Sequence, residues 1–392
     1  MKILIFMTQF YQLNGAERLA VELAEGLNKR GIHTDILSMY TEGLPGVDGA
    51  KQDLLNRGIP HVRFLGMKIH PPLTSLLPAI LKLRRMIQAE GYDIVETSMS
   101  TPSIITAWAC RGLAVRQVSG IHDVFTRERY NTVKDKFWRY SVRNNRKTRF
   151  YSISDYAVTH WIKYSRTLAA RTRRVLNAIP KDCFEAVPDR EAVRDELGIS
   201  KDVRIALFVG RLLKRKGIDT IYDALAPILK EENLTVIYVG GEDSPEGFFP
   251  DDVGLLDRLK ACIKQDGLID RVRFLGRRDD VPRLMASSDV LVHPARIEGF
   301  GLVLVEALAA MLPVVASNVD GIPEVLAGTD SIMRVPDAPA PLREAVLTIL
   351  NRTSQEAVQA IENGRRRAEE FRMDRRIDAM VQLFNDVQKE RF

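Results

Sequence analysis

The feature that most restricts this chain is a rhythm of short apolar runs and longer stretches of helical periodicity, repeated in two blocks. In the first block, runs at 3–7, 33–38, 94–97, 115–121 and 150–153 read as strands. Leu19, Val21, Leu23 and Leu27 mark one face of a helix over 15–30, and further helices are expected over 77–90 and 104–111. The second block has strands expected at 205–209, 235–239, 272–275, 290–293 and 314–316, then helices over 340–350, 356–371 and 374–389. Strands alternating with amphipathic helices form parallel sheets covered by helices. Residues 177–201 lose the rhythm in a proline- and charge-rich stretch, where the interdomain linker is expected. With 392 residues there is room for two domains of ordinary size. The expected fold class is α/β, two successive parallel domains.

Composition excludes more than it selects. At 45% hydrophobic and 28% charged residues, bulk disorder, collagen-like repeats and a multi-span membrane protein are ruled out. Cys110, Cys183 and Cys262 are far apart with no CxxC, which suggests neither a disulfide framework nor a zinc site and fits a reducing cytoplasm. The opening MKILIF is too short for a signal-peptide core and reads as a buried first strand. Charge is unevenly spread. Residues 1–180 hold 27 Lys and Arg against 14 Asp and Glu, a net of +13, and the remainder holds 30 against 37, a net of −7. The first half is therefore suited to an anionic partner, whether a membrane face, a phosphorylated acceptor or nucleic acid; the plainer reading is a solvated basic surface.

Several chemistries are missing. Neither block opens with G-x-G-x-x-G, and there is no P-loop, HExxH or G-x-S-x-G. No D-x-D occurs, so the usual carboxylates for a sugar-nucleotide-bound metal are absent and phosphate charge has to be met by cations and helix N-termini. A candidate for that task follows the strand at 205–209: Gly210-Arg211-Leu212-Leu213-Lys214-Arg215-Lys216-Gly217. Arg211 offers a planar fork and Lys216 a point charge, together enough for a diphosphate, while Lys214 and Arg215 also fit a solvated loop. Further on, His293-Pro294-Ala295-Arg296-Ile297-Glu298-Gly299-Phe300-Gly301 leaves another strand and opens a helix. Gly299 and Gly301 free backbone amides to face an anion. Glu306, set among apolar residues, suits a vicinal diol, or is only a favourable charge near a helix start.

Glu298 and Glu306 make an E-x7-E pattern. Together with Gly210-Arg211…Lys216-Gly217, Phe274-Leu275-Gly276, Pro313-Val314-Val315-Ala316, Gly15-Ala16-Glu17, His122-Asp123 and Ser152-Ile153-Ser154, it closely resembles the retaining glycosyltransferases of family 4, over nearly the whole chain. The resemblance implies a GT-B fold: two Rossmann-like α/β domains facing a central cleft, with a C-terminal helix crossing back to the first. The expected bounds are 1–178 for an acceptor-binding domain, 179–373 for a nucleotide-sugar-binding domain and 374–392 for the helix. It further implies that Arg211 and Lys216 hold the donor diphosphate and stabilise the leaving group. Glu306 would take the ribose hydroxyls and Glu298 the donor sugar. The amides of Phe300 and Gly301 would support sugar and phosphate, backbone from Arg277 to Val281 would frame the base, Gly15 would lie by the diphosphate and His122 would face sugar and acceptor. Outside that context a lone histidine after a strand is more often structural. No cofactor and no metal are expected, and front-face attack is favoured over a double displacement through Glu298. The chain departs from the family at Asn177-Ala178, at Asn14 before Gly15, and at Gly240-Gly241-Glu242-Asp243 with the 244–252 insertion.

The basic half bears on the acceptor. Nine Lys and Arg between Arg127 and Arg149 are interleaved with Phe125, Tyr130, Phe137, Trp138 and Tyr140, which suits an anionic membrane surface. A second candidate is the apolar, proline-rich stretch from Met67 to Leu81, followed by Lys82, Arg84 and Arg85. The expected function is transfer from a UDP- or GDP-linked sugar to a lipid-linked or glycan acceptor in surface polysaccharide or lipopolysaccharide assembly. The expected location is cytoplasmic, peripheral on the inner face of the plasma membrane, with no nucleic-acid partner. The alternatives are a small soluble acceptor, a nucleotide-sugar epimerase or phosphorylase, and a non-catalytic nucleotide-sugar-binding scaffold.

Overall fold

The computed structural model describes residues 1–11, 15–69, 73–126, 130–185, 190–241 and 253–390. Asn14, the His70-Pro71-Pro72 run, Arg127, Arg129 and the 242–252 segment, all singled out in the sequence, lie outside the described residues. The chain divides into two compact units, Met1–Ala178 with Met373–Phe392, and Ile179–Arg372.

In the first unit, β1 (Lys2–Met7), β2 (His33–Tyr40), β3 (Val62–Met67), β4 (Ile94–Thr97), β5 (Arg116–Ile121), β6 (Thr148–Ser152) and β7 (Thr172–Arg174) make one sheet. Its order is β3-β2-β1-β4-β5-β6-β7 and every pairing is parallel. Ile3, Leu4, Ile5 and Phe6 are wholly buried, because helices cover both faces, and this is why the central runs are continuous rather than alternating. The helix Gly15–Lys29 buries Leu19, Val21, Leu23 and Leu27 as the periodicity predicts. The last helix, Met373–Lys389, packs on this unit against that helix and β5, burying Ile377, Met380, Leu383, Phe384 and Val387. Gly26 permits the crossing, since a Cβ there would lie 2.2 Å from Ile377 Cδ1.

The second unit holds β8 (Arg204–Val209), β9 (Leu234–Val239), β10 (Val272–Phe274), β11 (Val290–His293), β12 (Val314–Ser317) and β13 (Ile332–Arg334). The order is β10-β9-β8-β11-β12-β13, again all parallel. The order reverses between β8 and β11, and such a switch point is where open α/β sheets bind ligands.

The structure corrects the linker. The expected 177–201 stretch folds into helices Asp182–Glu185 and Arg190–Glu196 within the second unit, and the chain passes between units at Ala178–Ile179. One of its charges is structural: Arg194, 2% exposed, donates to Asp289 at 2.9 Å and to the Val203 carbonyl at 2.6 Å. The final helix starts at Met373 rather than Asp374, and the helix expected over 356–371 is Ser354–Ala368 followed by a tighter turn.

Candidate functional site

The loops after β8, β9 and β11 are held together by glycines in conformations that other residues resist. At Gly240, with φ +138°, a Cβ would sit 1.9 Å from the Gly210 carbonyl oxygen, so the loops after β8 and β9 touch backbone to backbone. Gly210 N–H donates to Val239 at 2.9 Å and Leu212 N–H to Gly241 at 2.9 Å. In the cationic loop, Leu212 and Leu213 are buried while Arg211 is exposed, and Lys214–Lys216 forms one tight turn. Gly217, at φ +74°, then passes against Pro294, where a Cβ would lie 2.2 Å from the carbonyl oxygen. Arg296 locks the same junction. Its N–H donates to Arg215 at 2.8 Å and its guanidinium binds Asp219 at 2.8 and 3.0 Å and Asp337 at 2.5 Å.

At this junction Lys216 Nζ donates to Glu298 Oε2, and His293 Nε2 lies 3.1 Å from the same oxygen. Glu298 is tied by its backbone too: its N–H donates to Asp320 at 3.1 Å and its carbonyl accepts from Gly321 at 3.2 Å. Oε1 has no hydrogen-bond partner among the described residues and is the atom left for a ligand hydroxyl. Burial alone would raise the Glu298 carboxyl, but the Lys216 charge and the His293 hydrogen bond outweigh it and hold the group well below the usual carboxylate range. His293 is 1% exposed and stacks on Phe208 at 6.2 Å. Burial lowers its pKa, the Glu298 bond opposes this and the Lys216 charge adds to it, so the ring is neutral and donates through Nε2.

Gly301, at φ +83°, opens the helix Leu302–Ala309 with no side-chain cap and lies close to the Glu298 stem. Phe300 is buried edge-on against Phe371 at 5.5 Å, so its side chain is core while its backbone lines the turn. Glu306 stands in the second turn of that helix, half-buried between buried Val305 and Ala307. Arg277 is exposed, and Val281 opens the helix Val281–Ser287. Of the residues predicted from sequence, the fold thus joins Lys216 to Glu298 and sets Gly301 beside them. Arg211 shares the loop of Lys216 and Glu306 the helix that Gly301 opens, while Arg277 and Val281 follow β10 in the same unit.

Gly15 and His122 belong to the first unit. Gly15 is exposed at the first position of its helix, after β1. His122 follows β5, and its Nε2 lies 3.4 Å from the Tyr151 hydroxyl, which itself donates to Glu96 Oε1 at 2.8 Å. A hydroxyl has one proton, so toward His122 the Tyr151 oxygen accepts; His122 carries its proton on Nε2 and leaves Nδ1 as the acceptor. Burial, with the Arg376 charge adding to it, pushes His122 down to about 3, so it acts as a neutral ring. Sequence assigned His293 no role beyond opening its motif and did not point to Tyr151 or Glu96; the available signal was their polarity in otherwise largely apolar strands.

The basic and aromatic stretch is corrected in part. Phe125, Tyr130 and Trp138 are not surface wedges; they pack with Trp161 and Tyr164 in an aromatic cluster, with centroids 4.3 to 6.5 Å apart. Trp138 has to point inward, because the helix Val133–Asn144 rests on that cluster. Its outer face keeps Val133, Phe137 and Tyr140 exposed beside Lys136 and Arg143.

Known proteins resemble the chain throughout. A model described as "Glycosyl transferases group 1" matches residues 189–367, and one described as "Glycosyltransferase Family 4" matches residues 13–182. N-acetyl-alpha-D-glucosaminyl L-malate synthase of Bacillus anthracis is 26% identical over 84% of this chain and 83% of its own. Lipopolysaccharide glucosyltransferase WaaG of Escherichia coli is 31% identical over 47% of this chain and 48% of its own. Anabaena HepE in complex with UDP superposes with a TM-score of 0.83 at 23% identity, covering 98% of this chain and all of HepE. The solved structure of WaaG gives 0.74 at 21% identity, covering 97% and 99%. With two parallel α/β units and family matches to both halves, the chain belongs to the group 1, family 4 glycosyltransferases and has their GT-B fold.

Proposed function

We propose that this glycosyltransferase moves a sugar, with retention of configuration and without a catalytic metal, from a UDP- or GDP-linked donor to a lipid-linked or glycan acceptor in surface polysaccharide or lipopolysaccharide assembly. The observation that carries the reading is the Lys216–Glu298–His293 cluster at the carboxyl ends of β8 and β11. HepE is described with UDP and with UDP-glucose, which favours a uridine donor. WaaG is named for lipopolysaccharide and LpsB of Rhizobium meliloti for its core, which favours the pathway.

In this mechanism the bond between the anomeric carbon and the phosphate oxygen breaks, building oxocarbenium character on the sugar and negative charge on the diphosphate. Arg211, Lys216 and the amides following Gly301 receive that charge, the kind of preorganised electrostatics that is usually the largest catalytic contribution. The acceptor hydroxyl adds to the same face, and its proton passes to the departing phosphate oxygen. Glu298 is assigned to a donor-sugar hydroxyl through Oε1 rather than to nucleophilic attack, because Oε2 is committed to Lys216 and His293. Glu306 takes the ribose diol, Gly15 adjoins the diphosphate, residues 277–281 frame the base, and neutral His122 accepts a hydrogen bond from a sugar or acceptor hydroxyl at Nδ1.

The exposed Val133, Phe137 and Tyr140 beside Lys136 and Arg143 support peripheral attachment to an anionic membrane from the cytoplasm. Leu77 and Leu81 offer a similar face on the helix Leu76–Glu90. No helix among the described residues is long and apolar enough to cross a membrane. A small soluble acceptor is the second reading, favoured by relatives named for L-malate and for D-inositol 3-phosphate.

The test is a titration of the metal-free protein with UDP, GDP and their common sugars, beside the Arg211→Ala/Glu306→Ala double variant. Selective binding lost in the variant supports the donor site, and binding to none of them refutes it. Radiolabelled donor then separates the acceptors: label in a lipid extract supports the first reading and label on a small acid or polyol the second. Altered free sugar without any acceptor would instead indicate an epimerase, and binding without turnover a scaffold.

A further inference from the structure

A second group of chemistry-bearing side chains lies in the first unit at the opposite end of its sheet. His33 opens β2, Asp35 is two residues further on, and His61 directly precedes β3. Since Lys2 pairs with His33 and Met7 with Ser38, this group is at the end where the strands begin, whereas Gly15 and His122 follow strand ends. His33 Nε2 and His61 Nδ1 each lie 3.1 Å from one atom, Asp35 Oδ1, and the three ligand atoms fall within 4.8 Å of one another.

Hydrogen bonding accounts for only part of this. His61 has hydrogen-bond geometry toward Asp35, but His33 Nε2, though buried, makes no hydrogen bond. Asp35 is fully buried, and its other oxygen is occupied: Tyr92 O–H donates to Oδ2 at 2.5 Å. That bond fixes the carboxylate and turns Oδ1 toward the two rings, the outer-shell role that orients ligating carboxylates. Arg63 offers little neutralisation. It is 3.9 Å from Oδ2 but 2.9 Å from Glu90, to which it is principally paired. A buried carboxylate faced by two imidazoles on its open side is thus short of positive charge.

We propose that His33, Asp35 and His61 bind one divalent transition-metal ion of the zinc class, with water completing the coordination. Two nitrogens and one carboxylate oxygen select zinc, cobalt, nickel or copper over magnesium or calcium. With bonds near 2.0 Å, ligand atoms of a tetrahedral site lie about 3.3 Å apart, close to the two 3.1 Å separations. Both imidazoles are about half-exposed at their outer sides, so water can reach the ion, whereas Asp35 is fixed. The ion clips β3, an edge strand, to β2, so its effect is on the stability of the first unit and not on sugar transfer.

The full chain, stripped with a chelator that is then removed, is titrated with Zn²⁺ against a zinc-responsive chromophore and melted with and without the ion. One equivalent taken up at micromolar concentration or tighter, with a rise in melting temperature, is expected. His33→Ala and His61→Ala should each weaken uptake by more than about 10-fold, the least that losing even an outer-shell partner of a ligand typically costs. Cys262→Ser, which removes the one exposed thiol, should take up zinc as the parent does. His61→Asn, which retains a hydrogen-bond donor, keeps a folding defect from being read as ligand loss, and Co²⁺ should give visible bands that His61→Asn lacks. No uptake by the parent at about 100 μM Zn²⁺, or equal uptake by the histidine variants, overturns the site.

Discussion

Replacing Lys216 by methionine keeps most of the side-chain volume and removes the charge that faces Glu298. The two side chains are 14% and 15% exposed, so the pair is largely out of water. Removing one partner of such a pair leaves an uncompensated buried charge, at a cost of about 3–5 kcal/mol. His293 still reaches Oε2 and Oε1 has no internal partner to lose, so we expect the lower end, about 3 kcal/mol at pH 8. The loss should shrink on acidification. In the parent, the depressed Glu298 carboxyl contributes stability that is present above the unfolded carboxylate pKa and lost only as pH falls through the lower folded value. Without Lys216 both Glu298 and His293 move up, because its charge lowers each of them. The folded variant therefore binds a proton that the folded parent does not, and its deficit narrows between pH 8 and pH 5.

The measurement is calorimetric melting of Lys216→Met, Glu298→Gln and the double variant at pH 8 and pH 5, with the two units followed as separate transitions. The double variant should lose less than the sum of the single ones by about 2 kcal/mol, the coupling expected of residues in direct contact. Additive losses to within about 0.5 kcal/mol, or a Lys216→Met deficit independent of pH, would refute the argument that this is a desolvated, strongly coupled pair.

Two substitutions and one titration probe the surroundings. Gly217→Ala puts a Cβ into the Pro294 carbonyl at a left-handed φ of +74°, and should lower the melting point of the second unit by a margin equivalent to at least about 2 kcal/mol. Tyr151→Phe leaves Glu96, already raised by burial, without one of the hydrogen bonds that hold it down; about 1–3 kcal/mol should be lost, and more at pH 8 than at pH 5, measured by melting across that range. The His122 ring, lowered to about 3, should show no proton NMR titration between pH 5 and pH 8; its contribution to stability, intact above the unfolded histidine pKa, should fade only as pH drops from about 6.5 toward 3.

How much of the fold was legible follows from where each strand sits. The central strands β1, β8, β9, β11 and β12 are buried on both faces and carry nearly continuous apolar runs, while β4 and β5, buried as well, also hold Glu96, Gln117 and Ser119. The strands that were not anticipated, β3, β7 and β13, are all at sheet edges. Each contains arginine, and β7 and β13 span only three residues with little burial. An edge strand gains stability from one neighbour and is kept short and charged to discourage further pairing, so its pattern fades into that of a loop. The same confusion in reverse produced the expected linker over 177–201. Its arginine and aspartate content resembles a solvated connection, yet Arg194 is buried and spends its charge on Asp289 and backbone carbonyls. Nor did the aromatics near Arg139 show which way they face, since the inward and outward sides of that helix both carry rings.

The site shows the same division between residue type and pairing. That a cation-rich loop follows one strand and a glycine-flanked glutamate another can be read directly, because both motifs are local. That Lys216 meets Glu298 cannot, since they are 82 residues apart and the strands before them, β8 and β11, are separated in sequence by β9 and β10. Their contact exists because the sheet reverses direction between β8 and β11. Strand order is a property of how helices cross over and pack, and a right-handed crossover rule does not say on which side of β8 the fourth strand of the unit will pair. Once β11 lies against β8, Gly217 has no room beside Pro294, Arg296 reaches Asp219, and His293 is left beside the carboxylate as a second donor to Oε2. A histidine ending an apolar strand therefore gains its role from the strand beside it, which is why His293, though part of the motif read in the sequence, received no role there while Glu298, five residues later, did.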